Sequence, residues 1–310
     1  KYKKNIISLN QIENHISNQV KSQYEENPYP KWDKIPIFPK KISMKEYLSL
    51  KKINFIENKT TNNQKLEILV AGCGTGQEPI NLSSYIENLN ITAIDLSKTS
   101  LSYAIRKSKE YKIENINFYQ CDLLNVKELN TKFDIIVCSG VLHHLDNPMQ
   151  GWQKLTEVLN KKGLMKICLY SKIARRNIKP YQDKYSSKDI KDFNVEIREF
   201  RNKMIKSDPN FESFFGFRDF FNMSELRDLI FHCKEHQFTL PQIKSCLKEL
   251  NLSFLGFDEN YILKKNFLYN TFYNIFKSDK NILDLDKWDV VENSHKDIFK
   301  SMYRLWVQKI

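Results

Sequence analysis

Glycine is scarce in this sequence. Its 310 residues hold eight, and three of those fall at positions 72, 74 and 76. Such a chain has no glycine-rich linker or repeat, and the cluster marks one turn where the backbone is kept free of side chains. Long apolar runs are also missing. None approaches the ~20 residues of a membrane-spanning helix, and no basic, then apolar, then small-residue pattern opens the chain, so neither a signal peptide nor a membrane partner is expected. Cysteine is limited to Cys73, Cys121, Cys138, Cys168, Cys233 and Cys246, with no C-x-x-C pair. Several lie in or beside apolar runs, where a free thiol behaves as a small hydrophobe. The expectation is a reducing cytoplasm rather than a disulfide framework, and the three-cysteine cluster of a radical iron–sulfur enzyme is excluded. The first residue is Lys1 rather than Met, as expected of a processed chain or of a piece of a longer one.

What is abundant is positive charge, 49 Lys and Arg against 37 Asp and Glu, giving a net charge of +12 and a pI near 9.2. The basic residues are mostly lysines spread along the chain without a long block. A general lysine bias accounts for them, and nucleic acid is not an expected partner. Hydrophobic residues make up 41% of the chain, enough to bury a large core.

Periodicity orders the elements. Apolar positions Leu9, Ile12, Ile16 and Val20 predict an amphipathic helix over 5–23. "ENPYPKWDKIPIFPK" carries four prolines and predicts an extended loop. A short helix follows at 43–51, with Ser43 as its cap, and then a polar surface connection at 58–65. Strands are predicted at 66–71, 91–95, 116–119, 133–138 and 164–170, with helices at 77–88, 98–112, 125–131 and 148–161, the last ended by "KKG". That alternation implies a doubly wound parallel sheet covered on both faces. Residues 171–240 break the rhythm and read as an insertion. A helix at 240–250, a sixth strand at 252–257, a mostly helical stretch and a seventh strand at 302–309 complete the chain. The segments are a helical lid (1–64), a core (65–170), an insertion that is a possible substrate region (171–240) and the C-terminal part of the fold (241–310).

The glycine turn ends the first strand in "LEILVAGCGTGQ". Turns of this kind aim backbone N–H groups into the crevice above the strand ends. A nucleoside-triphosphate loop needs a following Lys, which is absent. A dinucleotide loop needs its third glycine at 77, where Gln77 stands. Asp95 ends the second strand, where an acid accepts from both ribose hydroxyls. Asp122 ends the third, beside the same crevice, and can accept from an exocyclic amine. A ribose-bearing ligand is therefore expected, and a pyrophosphate less so.

In order, "VAGCGTGQ", "AIDLS", "QCDLL", "FDIIVCSGVLHHL" and "KKGLMKICLY" resemble the class I S-adenosylmethionine-dependent methyltransferases over residues 65–170. The resemblance implies a seven-stranded Rossmann-like sheet, S-adenosyl-L-methionine as cofactor, and a binding set of Ala71, Gly72, Cys73, Gly74, Gly76, Asp95, Leu96, Asp122, Leu123 and Ser139, with Tyr24 from the lid. The flanks "QYEENPYPKW", "EHQFTLPQI", "LGFD" and "MYRLWVQK" resemble bacterial methyltransferase domains often attached to tetratricopeptide repeats, which implies such a region as a possible partner in a longer chain. The long segment between strands six and seven departs from the usual tight hairpin.

Candidate catalytic residues are His143, His144 and Tyr29. Either histidine can act as a base near pH 7, or hold the turn. Tyr24, Tyr29 and Trp32 can cap the cofactor, cage a cationic amine, or pack the lid. Arg175 and Arg176 face solvent or bind an anionic acceptor. "HCKEH" (232–236) matches the H-x-x-E-H signature of a zinc peptidase, but no third ligand is identifiable and no metal is expected. A non-catalytic nucleotide-binding module is a further alternative. The acceptor, protein or small molecule, is not legible.

Overall fold

Runs rich in Ile, Leu and Val pair into a single seven-stranded sheet in the computed structural model, which describes residues 2–36, 38–53, 55–56, 64–186, 188–214, 216–258, 267–277 and 281–310. The strands are β1 (Leu66–Ala71), β2 (Leu89–Asp95), β3 (Ile116–Gln120), β4 (Phe133–Ser139), β5 (Leu159–Tyr170), β6 (Leu252–Phe257) and β7 (Met302–Lys309), in the order β3-β2-β1-β4-β5-β7-β6. β1 to β5 pair in parallel, and β7 lies antiparallel between β5 and β6. Successive strands are added outward from β1 to one side (β2, β3) and then from β4 to the other, so a crevice opens above the ends of β1 and β4, where such sheets hold ligands.

The two-residue period of β1 divides the core. Leu69 and Ala71 join one apolar cluster with Trp152 and Trp288. Ile68 and Val70 join another with Ile80, Leu101 and Trp32. The helices over these faces have legible ends. Ahead of the sheet lie α1 (His15–Glu26) and α2 (Met44–Leu50). α3 (Gln77–Tyr85), α4 (Lys98–Glu110) and α5 (Pro148–Val158) follow β1, β2 and β4. Ser43, Ser97 and Asn147 cap α2, α4 and α5 by accepting backbone N–H groups.

The insertion is α6 (Lys179–Ser186), α7 (Phe193–Ser207), α8 (Phe211–Phe214) and α9 (Met223–Ile230). Ile197, Phe200, Phe214, Phe220 and Leu226 give it an apolar core of its own. α10 (Leu240–Glu249) begins at a Thr239 capping box. α11 (Phe267–Ile275) and α12 (Leu285–Ser294) lie in the long segment before β7; Trp288 packs against Phe257 of β6 and Phe272 against Trp288. The β6–β7 pairing survives this segment, because the extra helices cover the sheet instead of interrupting its ladder.

Four expectations are corrected. The N-terminal helix begins at His15, capped by Asn14, because residues 7–9 are extended and pair with Gln120 at the edge of β3. "KKG" does not end α5. The helix stops at Val158, and Lys162, at φ 57, sits within an irregularity inside β5. The helix at 125–131 is a 3-10 segment over Leu123–Leu129, with Asp122 as its cap. His232–His236 lie beyond the end of α9 and are not helical, so the two histidines do not share a helix face. Of the connection at 58–65, residues 58–63 lie outside the described residues.

Candidate active site

The glycine turn is built around contacts that exclude a Cβ. Gly72, Gly74 and Gly76 all have positive φ. A Cβ on Gly74 would stand 2.4 Å from the Tyr29 carbonyl oxygen, and one on Gly76 would stand 2.5 Å from Ala104 Cβ on α4. The third glycine is therefore a helix-packing position, and the second marks where the lid crosses the turn. Thr75 fastens that crossing. Its N–H donates to the Tyr29 carbonyl (3.1 Å), its hydroxyl donates to the Pro30 carbonyl (2.6 Å), and Trp32 Nε1–H donates to its oxygen (3.0 Å). Trp32 is thus buried behind the turn, between it and Tyr103 and Tyr111, while Tyr24, Tyr29 and Pro30 reach the crevice.

The crevice is a cavity of about 340 Å³. Gly72, Cys73, Gly74, Asp95 and Leu96 line one part, and Asp122, Leu123 and Ser139 join them from the ends of β3 and β4. Ala71 and Gly76 stand behind this lining: Ala71 is fully buried and Gly76 packs on α4. Asp95 is fixed by two backbone donors, Gly74 N–H to Oδ2 and Ser97 N–H to Oδ1, each 2.8 Å. Burial nevertheless raises its pKa to about 6. Asp122 accepts from Leu124 N–H, and its own N–H donates to Asn10 of the N-terminal segment. Glycines that let the backbone approach, followed by two carboxylates a strand apart, fit a nucleoside whose ribose meets Asp95 and whose base meets Asp122.

The two predicted histidines diverge. His143 is fully buried, stacks on Tyr170 with ring centroids 3.9 Å apart, and is not among the lining residues. His144 lines the cavity. Its Nδ1 lies 2.7 Å from the Lys234 carbonyl, which can only accept, so Nδ1 carries the proton and Nε2 the lone pair. Burial holds its pKa down at about 4. Tyr29 donates to Asp219 (3.3 Å), and burial raises its pKa well above the usual phenol value.

Arg175 neither faces solvent nor waits for an anion. It is buried, grips Glu235 through Nε (2.9 Å) and Nη2 (2.8 Å), and lies over the Tyr170 ring at 3.7 Å. Arg176 pairs with Asp297. Glu235, the acid of "HCKEH", is thus engaged in tying the chain beyond α9 to the turn that follows β5.

Several lining residues had escaped the sequence reading. Ser17 and Val20 share one face of α1 with the expected Tyr24, at a helical spacing that could have revealed them. Tyr170, Met302 and Arg304 come from β5 and β7. Asp228 comes from α9, where it sits within the apolar run of "LRDLI" and carries no distinguishing signal. It is 3% exposed, accepts from the Tyr24 hydroxyl (2.6 Å), and burial raises its pKa to about 7.

Comparison with known proteins places this geometry. A family model described as "Methyltransferase domain" matches residues 62–214. Among curated proteins, the uncharacterized protein syc1184_c of Synechococcus is 38% identical over 117 residues, covering 37% of this chain and 28% of that protein. A ubiquinone biosynthesis O-methyltransferase of Rickettsia canadensis is 28% identical over 131 residues, covering 41% and 54%. The chain thus spans less than two thirds of these relatives. The solved structure of PKMT2 from Rickettsia typhi shares the fold at a TM-score of 0.58 and 15% identity, over 88% of this chain and 54% of that one, and has also been solved in complex with AdoHcy. Among the described residues, no helix is long and apolar enough to cross a membrane.

Proposed function

We propose, from the premise that the core of this chain is a class I S-adenosylmethionine-dependent methyltransferase domain, that it transfers a methyl group to an acceptor held at the tyrosine-lined part of the cavity. The observation that carries this reading is the division of one cavity. Two sets of groups line it: the glycine turn, Asp95 and Asp122 suit a nucleoside, and a second set joins Tyr24 to Asp228 and His144 to Tyr170, with Tyr29 beside them. Bound S-adenosylmethionine supplies an electrophilic methyl group, and the chain's own task is to bring a nucleophile into line with it and to exclude water.

The lid performs the exclusion. Tyr29 and Pro30 are bonded through Thr75 to the glycine turn itself, so the turn and its cover form one unit. We assign Tyr29 to the cavity wall rather than to proton transfer, because its raised pKa keeps it a phenol. We assign His144 the role of hydrogen-bond acceptor, because a group with a pKa of about 4 is a weak proton acceptor at pH 7. His143 supports Tyr170 from behind.

Photolabelling with methyl-tritiated S-adenosylmethionine tests the proposal. Label should fall on peptides lining the cavity, be competed by S-adenosylhomocysteine, and be lost in Asp95→Ala. Label spread over surface peptides, indifferent to Asp95, would refute it.

A further inference from the structure

Four carboxylates line the cavity: Asp95 and Asp122 suit the nucleoside, Glu78 pairs with Lys166, and Asp228 has neither use. It lines the same cavity from α9 of the insertion, and among the described residues no lysine or arginine pairs with it. A buried, unpaired carboxylate is costly, and a chain keeps one where something else completes it.

Its surroundings say what that partner is. The two buried arginines nearby are already used, Arg175 by Glu235 and Arg227 by Glu26. Asp219 and Glu225 add further negative charge on the same side: Asp219 raises the pKa of both Asp228 and Glu225. His144 and His232 are held neutral by burial. The rings of Tyr24 and Tyr29 complete the wall, and aromatic faces attract cations; the Tyr170 ring is already taken by His143 and Arg175. An anionic acceptor would be repelled here, and a neutral hydroxyl would leave the carboxylate uncompensated.

A metal ion could also complete it. His144, Asp228 and His232 offer ligand atoms within 4.8 Å of one another. The hydrogen bonds speak against a metal. Lys234 N–H donates to His232 Nδ1 (3.1 Å), so the ring's proton sits on Nε2, the nitrogen 3.2 Å from the Tyr24 hydroxyl. The result is a directed chain, His232 Nε2–H to Tyr24 oxygen and Tyr24 O–H to Asp228 Oδ1, which ends on the carboxylate and leaves no ring lone pair of His232 for an ion.

We propose that Asp228 anchors the acceptor, and that the acceptor is an alkyl amine that arrives as its ammonium ion and gives a proton to this carboxylate. The ammonium N–H bond breaks, an O–H bond forms on Asp228, and the free amine keeps the lone pair that attacks; carboxylate and cation together become two neutral groups. Tyr24 positions the carboxylate, and His232 positions Tyr24. The inference rests on the proposed function, and its test separates the two.

The full chain, loaded with S-adenosylhomocysteine, is titrated with n-butylamine, n-butanol and sodium butyrate. Binding is followed by ligand-observed NMR. Butylammonium should bind at least tenfold tighter than the other two, and more tightly at pH 8 than at pH 6, because Asp228 must be ionised to receive it. Asp228→Asn should remove the preference while S-adenosylhomocysteine still binds as in the wild type. Tyr24→Phe should keep it but shift its pH midpoint upward, since the carboxylate loses a donor; this holds the inference open to refutation even if Asp228→Asn does not fold. Equal binding of butanol or butyrate, a preference that survives in Asp228→Asn, or stoichiometric zinc uptake lost in Asp228→Asn would overturn it. No binding of S-adenosylhomocysteine at all would bring down the proposed function and this inference with it.

Discussion

Gly74→Ala, set beside Gly140→Ala, isolates the contact that ties the lid to the turn. Both glycines have positive φ, +53 and +75. Alanine at either position pays the left-handed backbone cost of ~1–2 kcal/mol. At Gly140 the new Cβ meets nothing within 4 Å, so that is the whole effect. At Gly74 it would stand 2.4 Å from the Tyr29 oxygen, closer than real Cβ atoms come, and the atom in the way is backbone. The lid must retreat by about 1 Å, which breaks the Thr75 N–H bond to that carbonyl, worth roughly 0.5–1.5 kcal/mol. Gly74→Ala should therefore lower stability by about 1 kcal/mol more than Gly140→Ala in urea titrations, and it should make residues 28–32 exchange amide hydrogen faster. If the two variants are equally stable and exchange at 28–32 is unchanged, the lid is not held by the turn.

Arg175→Ala should be far worse, about 3–5 kcal/mol in the same titration, because it strands Glu235 as a buried charge; a loss under 1 kcal/mol would contradict the anchoring role. Asp228→Asn should stabilise the unliganded protein with a pH dependence of definite sign. The folded-state pKa of Asp228 is raised to about 7 from 3.8, so the wild type loses stability as pH climbs through that window and the Asn variant does not. The variant's advantage should be small near pH 4 and full above pH 7, and a constant offset would refute it. Purified protein should carry no stoichiometric zinc, and chelators should leave methyl transfer intact; one zinc per chain, lost in His232→Ala, would revive the H-x-x-E-H reading.

The core of the fold was legible because strand, glycine turn and acid recur in a fixed order. β1, β6 and β7 have the residues expected of them, and β2, β3 and β4 begin or end within two residues of expectation. The cavity lining around the glycine turn was legible for the same reason: Gly72, Gly74, Asp95 and Asp122 are turn-borne or close in sequence to strand ends. The tyrosine-lined part was legible only in Tyr24, Tyr29 and His144, and Tyr170 and Asp228 gave no signal. Tyr24, Tyr170 and Asp228 lie far apart in sequence, and only the docking of the insertion brings Asp228 to Tyr24, 204 positions away. Local pattern also misjudged 232–236. Helical periodicity runs through "LRDLIF", yet α9 ends at Ile230. Beyond it, bonds from Glu235 to Arg175 and from His236 N–H to the His143 carbonyl set the path of the chain, and neither partner is near in sequence. Likewise both expectations for Arg175, a solvent face or an anion site, miss its place, because nothing local announces that Glu235 will be buried against it.

The central claim is that the divided cavity takes an S-adenosyl nucleoside, and calorimetric titration tests it most directly. S-adenosylhomocysteine should bind one site per chain, nicotinamide dinucleotide should give no heat, and Asp95→Ala should weaken the S-adenosylhomocysteine isotherm by ~1.5–3 kcal/mol, the worth of charge-assisted ribose hydrogen bonds. Saturable binding of the dinucleotide, with no response to S-adenosylhomocysteine, would contradict the account.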